Sequence, residues 1–196
     1  MRNAKIALFT AAAALLSSLN VQANSLDLNM SGESVRLTYI ASLAAQQNSE
    51  IEWDAGYLFA EDKSSQNIGV AHLGINTLGD VGAAPHKVVA GLGGRALWLN
   101  ADGFDPDSVA VAIGVKLEAR LKGLDRLGFG GHLYYAPDVI SFGDLDNAME
   151  YQAWVGYQLL RTGDLYLRYR QVKVEHATAG DITIDNGFNV GIKLTF

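Results

Sequence analysis

The last nine residues of the chain alternate between apolar and polar side chains. The apolar positions are Phe188, Val190, Ile192, Leu194 and Phe196, with Asn189, Gly191, Lys193 and Thr195 between them. Successive side chains of a β-strand point to opposite faces, so this pattern predicts a strand with one apolar and one polar face. An alternating final strand that ends on an aromatic residue is typical of the signal that the outer-membrane barrel assembly machinery recognises.

The same period of two recurs along most of the chain. Alternation is clear in residues 51–59, 109–117, 127–135, 149–159 and 165–170, and glycines blur it in residues 66–78 and 87–100. A transmembrane strand needs about 9–11 residues, with apolar side chains facing lipid and polar side chains facing the lumen. The segments fit this requirement and predict an all-β fold, an antiparallel transmembrane β-barrel.

The connections between these segments alternate in length. Short ones cover residues 122–125 and 161–164, and longer polar ones cover residues 60–66, 101–108, 136–147 and 175–181. Outer-membrane barrels have short periplasmic turns and longer outer loops in this order. Counting back from Phe196 gives eight strands from Glu50 onward. Residues 25–42 could add a hairpin through a turn at 31–34, so ten strands are slightly favoured over eight.

Aromatic side chains on the apolar phase tend to lie near the ends of the segments. They are Trp53, Tyr57, Phe59, Trp98, Tyr135, Tyr151, Tyr157, Tyr169 and Phe196. Such positions are typical of the aromatic girdles at the two membrane interfaces.

The first 23 residues have the pattern of a secretory signal peptide. Arg2 and Lys5 are followed by an apolar stretch over residues 6–19, and Val21 and Ala23 place small residues before a cleavage site. We expect cleavage near Ala23, which leaves residues 24–196 as the barrel domain. With the terminal strand, this predicts that the protein resides in the cell outer membrane of a Gram-negative envelope.

Composition narrows the choice of function. The chain has no Cys, so disulfides, thiolate metal sites and cysteine nucleophiles are excluded. The formal net charge is −6 and there is no basic run, which argues against nucleic acid as a partner. The expected partners are outer-membrane lipids, lipopolysaccharide and the assembly machinery, and we expect a monomer.

The signal peptide, the small size, the glycine-rich alternating segments and the ending at residues 188–196 together resemble the YfaZ family of envelope proteins. The resemblance covers nearly the whole chain after residue 23. It implies an outer-membrane barrel and supplies no catalytic residues to carry over.

Evidence for catalysis or for a bound cofactor is sparse. The four histidines, His72, His86, His132 and His176, lack metal-ligand spacing, so we expect no metal and no cofactor. Pieces of a Ser–His–acid arrangement exist, such as His132 with Ser141 and Asp138, or His176 near Asp181, but no nucleophile-elbow motif accompanies them. A hydrolase acting on lipid A or phospholipid is therefore an alternative, and a non-enzyme is expected.

Charged residues on the polar phase are the most informative candidates for a site. They are Glu52, Asp54, Lys116, Glu118, Arg120, Arg126, Glu150, Arg168, Arg170 and Lys193. A barrel of eight to ten strands has a narrow interior, and buried charges must pair there. We therefore predict a charged, largely plugged lumen with a structural role, or a narrow channel. A soluble lipocalin-like periplasmic barrel, with its apolar phase inside, is the rival at the level of fold.

Overall fold

The computed structural model describes residues 24–61, 67–82, 87–101, 108–143, 145–176 and 180–196. The predicted signal peptide (residues 1–23) and His86 lie outside the described residues. Among the described residues, no helix is long and apolar enough to cross a membrane.

The described residues form eleven β-strands and one short 3-10 helix, Asp138–Ile140. The strands are β1 (Asn24–Met30), β2 (Ser34–Ala45), β3 (Ser49–Glu61), β4 (Asn67–Asp80), β5 (Lys87–Ala101), β6 (Val109–Arg120), β7 (Leu127–Ala136), β8 (Ser141–Phe142), β9 (Leu145–Leu160), β10 (Gly163–His176) and β11 (Gly180–Thr195).

Ten of these strands close into an antiparallel barrel. Each of these ten strands pairs with the next one along the chain, with β8 omitted so that β7 pairs with β9. β1 closes the barrel by pairing with β11. The two-residue β8 pairs with the start of β6 and lies outside this circuit. The preference for ten strands is confirmed, and the eight-strand alternative is wrong. Residues 25–42 supply the additional hairpin, with a turn in which the Ser31 N–H donates to the Ser34 carbonyl over 2.8 Å.

The two ends of the barrel differ in their connections. We call one the turn end; it carries Asn24, Phe196 and the connections at residues 46–48, 121–126 and 161–162. The other is the loop end, which carries the turn at residues 31–33 and the connection that contains the 3-10 helix Asp138–Ile140. Gly123 has a φ of 86° in the β6–β7 turn, a left-handed conformation that glycine adopts without strain.

Side chains on the outer surface are apolar. Along β6, Ile113 is 67% exposed and Leu117 is 53% exposed. Ala110 and Ala112, on the alternate phase of the same strand, face the interior and are 0% and 1% exposed. Many charged and amide side chains are buried inside the barrel instead. This orientation is that of a transmembrane barrel, and it is opposite to the one that a lipocalin-like barrel requires.

The predicted aromatic belt is on the outer surface, although its members differ in exposure. Tyr57, Phe59, Trp98, Tyr135, Tyr157 and Phe196 are exposed, and Trp53, Tyr151 and Tyr169 are half-buried. The half-buried rings pack on neighbouring rings, with centroids 5.4 Å apart for Tyr39 and Trp53 and 6.0 Å apart for Tyr151 and Tyr169.

Candidate functional site: the barrel interior

The interior near the loop end is an apolar cluster, which we call the apolar layer. It consists of Leu58, Ala60, Ile68, Val70, Leu97, Leu99, Ala110, Ala112, Tyr134, Ala136, Leu145, Ala148, Val172, Val174 and Ile184. None of these side chains is more than 6% exposed, and eight strands contribute to the layer. The inward phase of β3 illustrates its origin, because Glu52 and Asp54 are followed on the same face by Leu58 and Ala60. The interior therefore changes from charged to apolar along the barrel axis.

Below this layer, paired charges cross the interior. The Glu150 carboxylate accepts hydrogen bonds from Arg36 at 2.5 Å and contacts His132 Nε2 at 2.9 Å. Arg95 links it to a second carboxylate, since Arg95 Nη1 lies 3.2 Å from Glu150 and its Nη2 donates to Asp54 over 2.9 Å. These carboxylates and guanidinium groups are less than 5% exposed, so each buried charge is compensated by a partner of opposite sign.

The Asp54 carboxylate has further partners on β4. Its Oδ1 lies 3.1 Å from His72 Nε2, and its Oδ2 accepts a hydrogen bond of 2.9 Å from Asn76. Asn76 in turn accepts a hydrogen bond from the Tyr134 hydroxyl of the apolar layer. The Arg95 guanidinium stacks over the Tyr134 ring, 4.3 Å from its centroid. The charged and apolar parts of the interior are thus joined by specific contacts.

A second network lies between β1, β2, β10 and β11. Arg170 is fully buried and donates to Asp185 over 2.5 Å and to Asn29 over 2.7 Å. Its Nη2 also donates to the Ser34 hydroxyl and to Asn189, over 3.1 and 3.2 Å. The terminal strands are therefore locked to the rest of the barrel from inside as well as through their backbones.

The charged region opens toward the turn end in a cavity of about 90 Å³, which we call the chamber. The paired charged side chains become more exposed from the inner end of the chamber toward the turn end. Asp54 is 2% exposed, Lys116 (paired with Glu52) is 14% exposed and Arg120 (paired with Asp164) is 37% exposed. Arg120 and Asp164 lie at the strand ends of β6 and β10, which places the mouth of the chamber at the turn end.

One wall of the chamber depends on the glycines of β7. The Trp154 ring points inward from β9 and lies across Gly130, where an added Cβ would come 2.6 Å from the indole. On the adjoining strand β10, Tyr166 and Arg168 donate hydrogen bonds of 2.6 and 3.0 Å to Asp27. Glycine at this register is what allows an indole to stand inside so narrow a barrel.

The structure places most of the charges that the sequence singled out in the interior. The set consists of Glu52, Asp54, Lys116, Glu118, Arg120, Glu150, Arg168, Arg170 and Lys193. Arg126 is the exception and corrects that prediction. The Arg126 side chain is exposed, because Arg126 lies in the turn one residue before β7 begins. Its carbonyl accepts a hydrogen bond of 2.7 Å from the Gln158 N–H.

Sequence reasoning missed five interior groups: Asp27, Arg36, His72, Arg95 and Asp185. Asp27 and Arg36 belong to the hairpin whose strands were uncertain. His72 and Arg95 lie on the two segments in which glycines obscure the alternation. The sequence signal for His72 and Arg95 is the phase within each strand, since His72 is two residues from Val70 and Arg95 two from Leu97, and all four side chains are buried.

The residues proposed for a hydrolytic arrangement have other partners. His132 contacts Glu150, whereas the Ser141 hydroxyl donates to the Pro137 carbonyl over 3.1 Å and Asp138 is exposed. Asp181 pairs with Lys173 at 2.7 Å. Within the described ranges, no group of three potential ligands is placed to hold a metal ion.

A closed antiparallel barrel with an apolar outer surface and a charged interior defines a class, the transmembrane β-barrels of the outer-membrane type. The chain belongs to the YfaZ family, since the family model described as "YfaZ precursor" matches residues 3–196. No curated protein matches the sequence.

The chain also shows a distant likeness to chains of three solved structures. OmpT, an outer membrane protein of Vibrio cholerae, is 8% identical over 88% of this chain and 64% of its own, with a TM-score of 0.39. The outer membrane channel DcaP of Acinetobacter baumannii is 12% identical over 88% and 62%, with a TM-score of 0.41. A chain from a study of in-meso crystallisation of membrane proteins is 12% identical over 89% and 83%, with a TM-score of 0.43. The present chain spans less than two thirds of the length of OmpT and of DcaP.

Proposed function

We propose that this protein is a structural outer-membrane barrel whose lumen does not conduct solutes. The observation that carries the proposal is the apolar layer, to which eight strands contribute side chains of at most 6% exposure. An aqueous pore needs a continuous polar path, and a packed apolar section interrupts such a path. The charges below the layer support the same conclusion, because Arg36 and Arg95 both pair with Glu150 across the interior.

The proposal includes a route to the membrane. The segment before Asn24 serves as the export signal and is removed near Ala23, and the strand ending at Phe196 is recognised by the barrel assembly machinery. Pairing of β1 with β11 then closes the barrel, so that closure waits until the last strand has been delivered. No catalytic role is part of the proposal, because the His132 and Ser141 side chains have separate partners.

Planar-bilayer recording tests the closed lumen. We expect the purified protein to insert without conductance steps. A double variant, Leu58→Ala with Tyr134→Ala, removes two large side chains from the apolar layer and should produce brief openings, because the remaining side chains cannot fill the section.

The matched control is Leu133→Ala, which truncates the neighbouring residue on the outer surface of β7, where the side chain is 45% exposed. It should stay silent like the parent protein. Regular conductance steps from the parent protein would contradict the proposed closed lumen.

A further inference from the structure

We propose that the chamber is a binding site for a small organic oxyanion, a molecule carrying a carboxylate or a phosphate. The inference goes beyond the structural role of the barrel and does not depend on whether the lumen conducts. It rests on the shape of the chamber, on the cations that face it and on buried donor atoms that lack partners.

The chamber has one mouth at the turn end and a floor inside the barrel. Arg120, Asp164 and Lys193 lie near the mouth, whereas Arg36, Asp54 and Arg95 lie at its inner end. The apolar layer lies beyond these inner residues. A ligand would therefore enter and leave from the periplasmic side.

Most charges of the chamber form ion pairs, and the exceptions among the described residues are Lys193 and Glu118. Arg168 bonds to Asp27 and Arg120 to Asp164. Among the described residues, Lys193 has no carboxylate within ion-pair distance, although it faces Glu118 across the chamber and interacts with it electrostatically. Lys116, Arg120 and Arg168 also face Glu118, so a single carboxylate is surrounded by four cations. Three of these cations are paired with other carboxylates, which leaves Lys193 as the cation available to a ligand.

Unpartnered buried atoms point to the same ligand chemistry. Within the part of the chain that the structure describes, the Nε atoms of Arg36, Arg95 and Arg168 and the Nη1 atom of Arg95 are buried without a hydrogen-bond partner. These three residues line the chamber, and each is less than 8% exposed. Gln152 Oε1 is the acceptor left over among the lining residues. Four donor atoms against one acceptor favour a ligand rich in acceptor oxygens.

Size and lining restrict the ligand further. A volume of about 90 Å³ corresponds to roughly six to nine water molecules, which is the space of a small organic acid. Trp154, Tyr166 and Ile40 contribute apolar surface to the wall. An oxyanion with a short carbon skeleton would satisfy both the donors and this surface.

Trp154 supplies the readout. The Trp53→Phe, Trp98→Phe protein in detergent micelles keeps Trp154 as its one tryptophan. Its fluorescence is titrated with succinate in one arm and inorganic phosphate in another, at constant ionic strength, with erythritol as the neutral probe. We expect a saturable change with at least one anion and none with erythritol. The arm that saturates identifies carboxylate or phosphate as the preferred group.

Two substitutions should act in opposite directions. Lys193→Gln should weaken binding about tenfold, because a charge-assisted hydrogen bond is lost. Glu118→Gln should tighten it, because the competing carboxylate is neutralised. Lys173→Gln is the matched control, since Lys173 pairs with Asp181 outside the chamber and should leave the affinity unchanged.

Heat-modifiable gel mobility verifies that each variant is folded. The proposal is overturned if neither anion gives a saturable change, if erythritol binds equally well, or if Lys193→Gln binds as tightly as the Lys173→Gln control.

Discussion

At the scale of single residues, the interior charges differ in how completely their hydrogen bonds are satisfied. Arg170 is a well-satisfied case, because its guanidinium is fully buried and bonds to Asp185, Asn29, Ser34 and Asn189. A buried cation without partners would be very costly, whereas a fully bonded one fixes the positions of the strands that hold its partners.

Arg170→Ala should therefore destabilise the folded barrel strongly. We expect a loss of about 3–5 kcal/mol in the free energy of unfolding, because the Asp185 carboxylate stays buried without its cation. Urea unfolding in lipid vesicles, followed by tryptophan fluorescence, measures this loss.

The control for that measurement is Lys173→Ala on the same strand. Its ion pair with Asp181 is exposed, so its removal should cost less than about 1 kcal/mol. Equal losses for the two variants would show that the buried network contributes nothing beyond a surface pair.

The inward orientation of these residues could be predicted only on strands where the alternation of polar and apolar side chains is uninterrupted. Glu150, Arg168 and Arg170 lie on strands with a strict period of two, and their inward orientation follows from it. Arg126 has the right phase but lies outside the strand, because phase determines the face only within paired backbone. Arg36 and Arg95 required a register that the sequence alone does not provide.

At the scale of elements, the N-terminal hairpin decides how the barrel closes. β1 is only seven residues long, yet it pairs with β2 on one side and with β11 on the other. Its alternating stretch is so short that the sequence alone does not distinguish it from a loop. The ten-strand count is therefore set by edge pairing, since a barrel leaves no strand edge unpaired.

A designed disulfide tests this closure. The chain has no native Cys, so the introduced pair is the only one that can form a disulfide within it. Ser25 and Thr195 are register partners, and their hydroxyl oxygens lie 3.1 Å apart. Ser25→Cys with Thr195→Cys should form a disulfide nearly completely under mild oxidation of the folded protein. Mobility on non-reducing gels and thiol labelling measure its yield.

The control pair is Ser25→Cys with Thr183→Cys, which uses the same two strands but residues far apart in register. It should stay reduced. Failure of the first pair to cross-link in folded protein would favour an eight-stranded barrel closed by β3 and β11, with β1 and β2 outside the circuit.

At the scale of the whole molecule, the distribution of polarity is inverted relative to a soluble barrel. Alternation predicted two faces, but it could not by itself say which face points outward; the terminal strand and the export signal favoured lipid. The exposed residues Ile113, Val190 and Phe188 and the buried residues Asp54 and Arg170 agree with that choice. The apolar layer was not predicted, because an inward Leu58 or Leu97 looks like a break in the polar phase.

The same inversion gives the tryptophans separate environments. Trp98 is exposed on the outer surface, and Trp154 lines the chamber among charged residues. The central claim is that the outer surface, which carries Trp98, contacts lipid and that the chamber, which Trp154 lines, does not.

Quenching by brominated lipid measures this difference directly. Two single-tryptophan proteins, one keeping Trp98 and one keeping Trp154, are folded into vesicles that contain phospholipid brominated on its acyl chains. Bromine quenches an indole that it contacts, so Trp98 fluorescence should fall strongly while Trp154 fluorescence changes little. Strong quenching of Trp154 with Trp98 unaffected, or no quenching of either because the protein stays in solution, would contradict the transmembrane orientation.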